Sequence, residues 1–149
     1  MDEKMKITIK SQTGEVLYTC EAESVRDAVE DAIKAGVKFA NANFRGANFR
    51  GADLSGAHFK GADFRNANLR GTNFRGADLR DADIRGANLI GANLSDANLR
   101  DADLSDSNLI GANLIGANLS GVYFRFANLS GANLSDADLS DADFSGADF

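Results

Sequence analysis

Paired aspartates are the residues of this 149-residue chain whose spacing most suggests chemistry. The tripeptide Asp-Ala-Asp occurs at 81–83, 101–103, 136–138 and 141–143. Clustered carboxylates are the ligands that Ca²⁺ prefers. The same spacing, however, arises automatically in a repeat that accepts aspartate at two of its positions. We therefore expect no metal site and no cofactor.

Catalytic arrangements are equally scarce. His58 is the only histidine and Cys20 the only cysteine, so the chain holds neither a Cys/His zinc set nor an internal disulfide. A Ser–His–Asp triad would have to use His58, around which the sequence predicts no pocket. No glycine-rich phosphate loop precedes a helix. The sequence predicts a protein that is not an enzyme.

A period of five organises most of the chain. From Val37 to Phe149, all 23 positions spaced five apart, designated i, hold Leu, Phe or Ile. Position i−2 is Ala in 19 of 23 units, i−1 is Asn or Asp in 20, and i+2 is Gly, Asn or Asp in 21 of 22. Helices need a period near 3.6 and strands strict alternation, so neither fits. The pattern predicts short extended sides that turn at i+2 and stack in layers about 4.8 Å apart.

Packing explains the alternation of small and large residues. Positions i−2 and i share one side of a short extended stretch and point inward together. A layer so thin cannot hold two large side chains per side, so one small and one large residue fill it. The chain contains no proline, which suits a ladder that needs each N–H. These features predict an all-β solenoid.

Units such as ANFRG and ADLRD, and the run ANLSGANLSDADLSDADF at 127–144, resemble the pentapeptide-repeat family, whose consensus is A(D/N)LXX. The resemblance covers 37–149 without interruption. It implies a right-handed quadrilateral β-helix with four units per coil and with i and i−2 inward. The 23 units would then make five to six coils, about 27 Å long at about 4.8 Å per layer.

Residues 1–36 differ in pattern and predict a small ββα cap. Alternating apolar residues within 5–20 indicate a β-hairpin. Ser24 with Asp27 resembles a helix capping box, an amphipathic run follows, and Gly36 ends the helix. We predict that this segment covers the N-terminal end of the solenoid, because an uncapped end exposes its interior.

The C-terminal residues stay in the repeat register and predict an exposed apolar end face. We expect a two-fold homodimer joined end to end through that face. The residues that would form it are Leu134, Leu139, Phe144 and Phe149.

Residues 20 apart should stack in columns on the outer surface. One face pairs an arginine column with an aspartate column, which we interpret as a self-neutralised surface rather than an anion-binding strip. Another carries an asparagine column, for which we predict a hydrogen-bonded amide ladder. The three columns are Arg45, Arg65, Arg85 and Arg125; Asp63, Asp83, Asp103 and Asp143; and Asn48, Asn68, Asn88, Asn108 and Asn128.

Departures from the repeat concentrate in residues 90–126. Isoleucine replaces the usual Arg or Ser at i+1 three times, and Val122, Tyr123 and Phe126 break three other positional rules. Exposed apolar residues that break a pattern indicate a contact surface. The alternative is local repacking around a swollen corner. The candidate contact residues are Ile90, Ile110, Ile115, Tyr123 and Phe126.

Charge is unevenly distributed: residues 37–100 carry a net +4 and residues 101–149 a net −7. We predict a scaffold that presents side-chain columns to a protein partner. The family resemblance implies an alternative, because some bacterial members mimic DNA, bind DNA gyrase or topoisomerase IV and give fluoroquinolone resistance. The acidic half fits that alternative and the basic middle argues against it. Direct nucleic-acid binding is disfavoured by the overall charge and by the lack of aromatic residues near the arginines.

The sequence also bears on location. It has no apolar signal core, no run of 18 apolar residues and only one cysteine. We expect a cytoplasmic protein without membrane contact.

Overall fold

The computed structural model describes residues 3–149, so the first two residues of the predicted cap lie outside it. Strand β1 (Met5–Lys10) pairs antiparallel with β2 (Val16–Ala22), and helix α1 (Val25–Lys34) follows. Gly14, at a φ of 90°, takes the left-handed conformation that the hairpin turn requires. The hairpin and helix predicted for the cap are therefore present.

Helix α1 begins and ends where the sequence indicates. The Ser24 hydroxyl accepts a hydrogen bond from the Asp27 backbone N–H at 3.1 Å. The Asp27 carboxylate accepts from the same hydroxyl at 2.6 Å, rather than returning a bond to the Ser24 backbone. Gly36, with a φ of 81°, stops the helix.

Beyond the cap, each unit pairs in parallel with the unit 20 residues later, from Asn43 with Asp63 to Asn128 with Asp148. Four five-residue units therefore complete one coil. The coils present four faces, which we number by their inward i residues. Face 1 contains 44, 64, 84, 104, 124 and 144; face 2 contains 49, 69, 89, 109, 129 and 149; face 3 contains 54, 74, 94, 114 and 134; face 4 contains 39, 59, 79, 99, 119 and 139.

The five-residue period satisfies all five backbone N–H groups of a unit. The N–H of i−2 bonds to the preceding i carbonyl, that of i−1 to the preceding coil, and those of i and i+2 to the next coil. The N–H of i+1 bonds to the side-chain oxygen of i−1. In the unit 82–86 these distances are, in chain order, 3.1, 3.0, 2.7, 3.3 and 3.0 Å. A proline at any position would remove one of these bonds.

The corners between faces have one backbone conformation. All 22 residues at i+2, from Asn41 to Gly146, have φ between 57° and 69°. Glycine adopts this region freely, asparagine and aspartate tolerate it, and other residues are strained there. This requirement explains the composition of position i+2.

The interior holds alanines and large apolar side chains in one continuous cluster. Phenylalanines stack along a column, as Phe44 does on Phe64 with ring centroids 5.3 Å apart, and meet edge to face across the interior. Among residues 3–149 no buried side-chain polar atom lacks a hydrogen-bond partner. The inward placement of i and i−2 is as the sequence predicts.

The cap covers the first coil on several sides. The Lys10 carbonyl accepts from the Asn43 N–H at 2.8 Å, so β1 extends the face 1 ladder. Tyr18 packs edge-on against Phe39 at 6.4 Å. From α1, Arg26 donates to the Arg50 carbonyl at 3.0 Å. The apolar interior is therefore closed at this end.

Candidate functional site

Face 1 carries the predicted arginine and aspartate columns, and they neutralise each other. Arg65 bonds through two nitrogens to Asp63, at 2.9 and 2.6 Å, and lies 3.5 Å from Asp83 in the next coil. Arg85 repeats the arrangement one coil further. This confirms the interpretation of a self-neutralised strip for Arg65, Arg85 and Arg125, whereas Arg45 has no carboxylate within 4 Å among residues 3–149.

The Arg65 guanidinium holds the pKa of the nearly buried Asp63 below its ordinary 3.8. At the far end of face 1 the Ser145 hydroxyl, together with Arg125, lowers the pKa of Asp143 to about 2. Hydrogen bonds to the ionised form cause both shifts. These carboxylates are therefore engaged in holding the corners.

The predicted amide ladder on face 2 is wrong. Within residues 3–149, no hydrogen bond joins two of the five stacked asparagine side chains. Each amide oxygen instead accepts from the N–H two residues later, at 3.0–3.3 Å, because that corner group has no backbone acceptor. Asparagine and aspartate at i−1 are thus corner caps, a role that sequence reasoning missed although their near-invariance indicated it.

The arginines without an internal carboxylate partner gather around face 2. Of the nine arginines in the repeats, six lie within 4 Å of an aspartate. The exceptions, in the part of the chain that the structure describes, are Arg45, Arg50 and Arg70. Arg45 lies on the corner leading into face 2, and Arg50 and Arg70 on the corner leaving it. Sequence reasoning missed this grouping because, among the arginines, it considered only the face 1 column, in which it placed Arg45.

Phe126 occupies the corner between faces 1 and 2 at an unfavourable backbone conformation. Its φ is 58°, it is the only i+2 residue that is not Gly, Asn or Asp, and its side chain is 69% exposed. Its ring lies over Gly146, where an added Cβ would come within 2.5 Å of the ring. The corner keeps its ladder bond to Ser145 at 2.9 Å, so it is not swollen.

Tyr123 lies three residues before Phe126, on face 1, and it too departs from the residue type that its position in the repeat requires. It replaces the Asn or Asp that would cap the Arg125 N–H, and its side chain is 42% exposed. The Arg125 guanidinium stacks over its ring, with Cζ 4.9 Å from the centroid. Tyr123, Arg125 and Phe126 together form one outward patch, which we name the aromatic site.

The three candidate isoleucines divide between two corners. Ile90 and Ile110 stack on the corner that leaves face 2, half-buried and 39% exposed respectively. Ile115, 36% exposed, lies on the next corner, between faces 3 and 4. Face 2 thus lies between Phe126 on one corner and Ile90 and Ile110 on the other. Ile115 belongs to a different side of the rod.

The last coil exposes part of its interior. Phe149 is 72% and Leu139 39% exposed, whereas Leu134 and Phe144 are partly buried. Phe144 stacks on Phe124 at 5.1 Å. These four are the inward residues of the last coil, one on each face.

The remaining chemistry-bearing residues do not converge. His58 lies on face 4 at a cap position, and Cys20 is a half-buried free thiol on β2. Across residues 3–149, no cluster of three histidine, cysteine, aspartate or glutamate side chains is arranged to hold a metal ion. Nor does the one helix of the described chain have the length or apolarity to cross a membrane.

The repeats match a known protein family. The family model for pentapeptide repeats matches in eight copies at residues 35–71, 57–96, 87–125 and 117–149. The chain belongs to the pentapeptide-repeat family. Its fold is accordingly the right-handed quadrilateral β-helix that the resemblance implies, with one helix in the cap. A search of curated proteins finds no match.

Solved structures of pentapeptide-repeat proteins resemble this one. Rfr23 from the cyanobacterium Cyanothece 51142 is 38% identical with a TM-score of 0.57, over 58% of each chain. AT2G44920 from the Arabidopsis thaliana thylakoid lumen is 33% identical with a TM-score of 0.51, over 70% of this chain and 66% of its own. The present chain thus spans less than two thirds of either relative. QnrB1, a plasmid-mediated fluoroquinolone resistance protein, is 25% identical with a TM-score of only 0.43, over 70% of this chain and 59% of its own.

Proposed function

We propose that this pentapeptide-repeat protein is a non-enzymatic scaffold that binds a protein partner through the aromatic site. The observation that carries the proposal is the pair of departures at Tyr123 and Phe126. One gives up a corner cap, and the other accepts a left-handed backbone conformation that costs a bulky residue about 1–2 kcal/mol. Both changes depart from what the repeat requires locally, and both expose aromatic surface.

The chemistry of the aromatic site suits a protein partner. Aromatic residues are enriched in protein interfaces, and tryptophan, tyrosine and arginine often contribute most of the binding energy. Here Arg125 stacks on the exposed Tyr123 ring and pairs with Asp143, and the next residue, Phe126, exposes a second ring. Side chains positioned in advance lose little conformational entropy on binding. The site therefore offers a small, rigid anchor.

The test is site-specific crosslinking in the native host. A benzophenone amino acid replaces Phe126 in one variant and Arg75 in a matched control, because Arg75 is exposed on the diagonally opposite corner, between faces 3 and 4. We expect one protein to crosslink through position 126 and to be absent at position 75. Tyr123→Asn/Phe126→Gly should lose the same partner in pull-downs. Equal crosslinking at both positions, or none at either, would remove the proposal.

We also propose that two chains associate end to end through Leu134, Leu139, Phe144 and Phe149. The proposal is supported by the exposure of Leu139 and Phe149. Light scattering at micromolar concentration should give twice the monomer mass. A monomer, or no change on Leu139→Asp/Phe149→Asp substitution, would reject this dimer.

The alternative function, a DNA mimic directed at DNA gyrase or topoisomerase IV, is favoured by one observation. After Arg125 the chain has five aspartates and no lysine or arginine. Against it stand the unpaired arginines of the first two coils, which would repel a surface that binds DNA. A supercoiling assay with excess protein separates the two functions, because the scaffold should leave gyrase activity unchanged.

A further inference from the structure

Face 2 has a basic end near the cap. Arg45, Arg50 and Arg70 lie at its two corners in the first two layers, and none has a carboxylate within 4 Å among residues 3–149. The column between the corners is asparagine rather than aspartate, so the face itself supplies no compensating charge. The positive charge of this region is therefore available to a ligand.

The cap adds a cleft to the same end. A cleft of about 260 Å³ lies between α1 and face 2 and is lined by Ser24, Val25, Arg26, Asn48 and Arg50. Arg26 donates to the Arg50 carbonyl, and Glu30 pairs with Arg26 at 2.8 Å. The cleft thus contains two guanidinium groups and one carboxylate at its edge. It is suited to an acidic side chain.

The other end of face 2 is apolar. Ile90 and Ile110 lie along one corner and Phe126 on the other, with half-buried asparagines between them. The oxygens of those amides bond to corner N–H groups, and their nitrogens have no hydrogen bond within the described residues. Asp106, beneath Phe126, is the one carboxylate at this corner in the described chain. Arg125, beside Phe126, is paired with Asp143 and adds no free charge. Face 2 therefore changes from basic to apolar along the rod, with free donors between.

Building on the protein-binding function above, we propose that face 2 binds an extended segment of the partner that is acidic at one end and apolar at the other. The acidic end lies against Arg45, Arg50 and Arg70, and the apolar end against Ile90, Ile110 and Phe126. From Asn48 to Asn128 the face spans four layers, about 19 Å at about 4.8 Å each. About six residues of extended chain cover that length at about 3.3 Å each.

The experiment selects binders from a phage-displayed library of random peptides on the full-length protein and measures their affinity by fluorescence anisotropy. We expect enriched peptides to combine two or more acidic residues with apolar residues about four positions away. Arg50→Ser/Arg70→Ser should weaken them about tenfold, since each surface ion pair contributes modestly. Phe126→Asn should weaken them by a similar factor.

The matched control is Arg80→Ser/Arg100→Ser on face 4. It removes the same charge from the same repeat position in adjacent layers, and serine occurs naturally at i+1 in this chain. Circular dichroism establishes that each variant folds. We expect the control to bind the selected peptides as the wild type does.

Each other outcome overturns the inference. Selected peptides that lack the acidic and apolar ends, or that bind both serine variants equally, would place recognition on another face while leaving the scaffold function intact. If no peptide is enriched, face 2 is not a peptide-binding surface, and the crosslinking at position 126 then decides the scaffold function separately. A single-stranded oligonucleotide that binds more tightly than any peptide, and is lost in Arg50→Ser/Arg70→Ser, would assign the arginines to nucleic acid.

Discussion

In the first half of the solenoid, residues 37–92, six of the inward i residues are phenylalanine and eight of the i+1 residues are basic. In the second half, residues 93–149, three inward residues are phenylalanine and the i+1 position is basic twice, with serine at most other places. The backbone pattern of hydrogen bonds is the same in both halves until the last coil.

The comparison separates what the fold requires from what it leaves free. Positions i−2, i−1, i and i+2 each serve packing, a corner cap or a corner conformation, and they vary little. The side chain at i+1 has no obligatory partner, so its change from arginine to serine, or to isoleucine, does not follow from the fold. Functional residues are therefore expected where the residue at position i+1 changes or where a constrained position holds an unusual residue type.

Truncating the core should produce the largest effects and should test whether the halves are packed alike. Phe64 and Leu104 occupy the same column on face 1, and both are fully buried. Phe64→Ala should lose about 3–5 kcal/mol of unfolding free energy and Leu104→Ala about 2–5, because each leaves a cavity. Urea denaturation measures both, with the exposed Lys60→Ala as a control. A near-neutral Leu104→Ala would mean that the second half is loosely packed.

Replacing the aromatic residues of the aromatic site should stabilise the folded protein. Tyr123→Asn restores a corner cap and Phe126→Gly relieves the left-handed backbone, so the double variant should gain about 1–2 kcal/mol. Thermal unfolding measures this gain. Asn66→Phe is the matched control, since Asn66 has the same φ on the same corner and a glycine in the next layer, and it should lose about 1 kcal/mol. A destabilised double variant would show that the two residues serve the fold.

Acid should weaken the corner caps in both halves. The pKa of Asp63 is below its ordinary 3.8 in the folded protein, so its ionised form stabilises the fold above pH 3.8, and this contribution is lost as the pH falls through the folded pKa. Asp63→Asn should cost about 1 kcal/mol at neutral pH, which is below the usual range for a hydrogen bond to a charged group because solvent screens the partly exposed Arg65. Thermal melts of variant and wild type should converge towards pH 2. A constant difference from pH 7 to pH 2 would contradict the assignment.

Much of the fold could be predicted from the sequence, because each position of the repeat answers a different physical demand. Leu, Phe or Ile at i and Ala at i−2 indicated the interior, and Gly, Asn or Asp at i+2 indicated the corners. The role of Asn and Asp at i−1 was predicted wrongly for face 2. The pattern shows which residue type is required, whereas the acceptor of the i+1 N–H becomes visible only in three dimensions.

The candidate site was predicted in part. The departures from the repeat at Tyr123 and Phe126 can be read from the sequence. The structure adds that Tyr123 leaves the Arg125 N–H without its side-chain cap and that Phe126 has a strained backbone conformation. Ile115 is separated from Ile90 and Ile110 by one face. The unpaired state of Arg50 and Arg70 could not be predicted, since it depends on which arginines reach an aspartate across coils.

The smallest predicted effect concerns salt, which should change binding at the two ends of the rod in opposite directions. An end-to-end dimer brings together two segments that each carry a net −7, so screening should favour it. Binding of acidic peptides to face 2 should weaken under the same change. Raising salt from about 0.05 to about 0.5 M shortens the Debye length from about 14 Å to about 4 Å. Light scattering should then show several-fold tighter association, while anisotropy shows several-fold weaker peptide binding. Leu139→Asp/Phe149→Asp should remain monomeric throughout yet keep the peptide response. If salt moved both equilibria in the same direction, the charge gradient between the halves would not govern either contact.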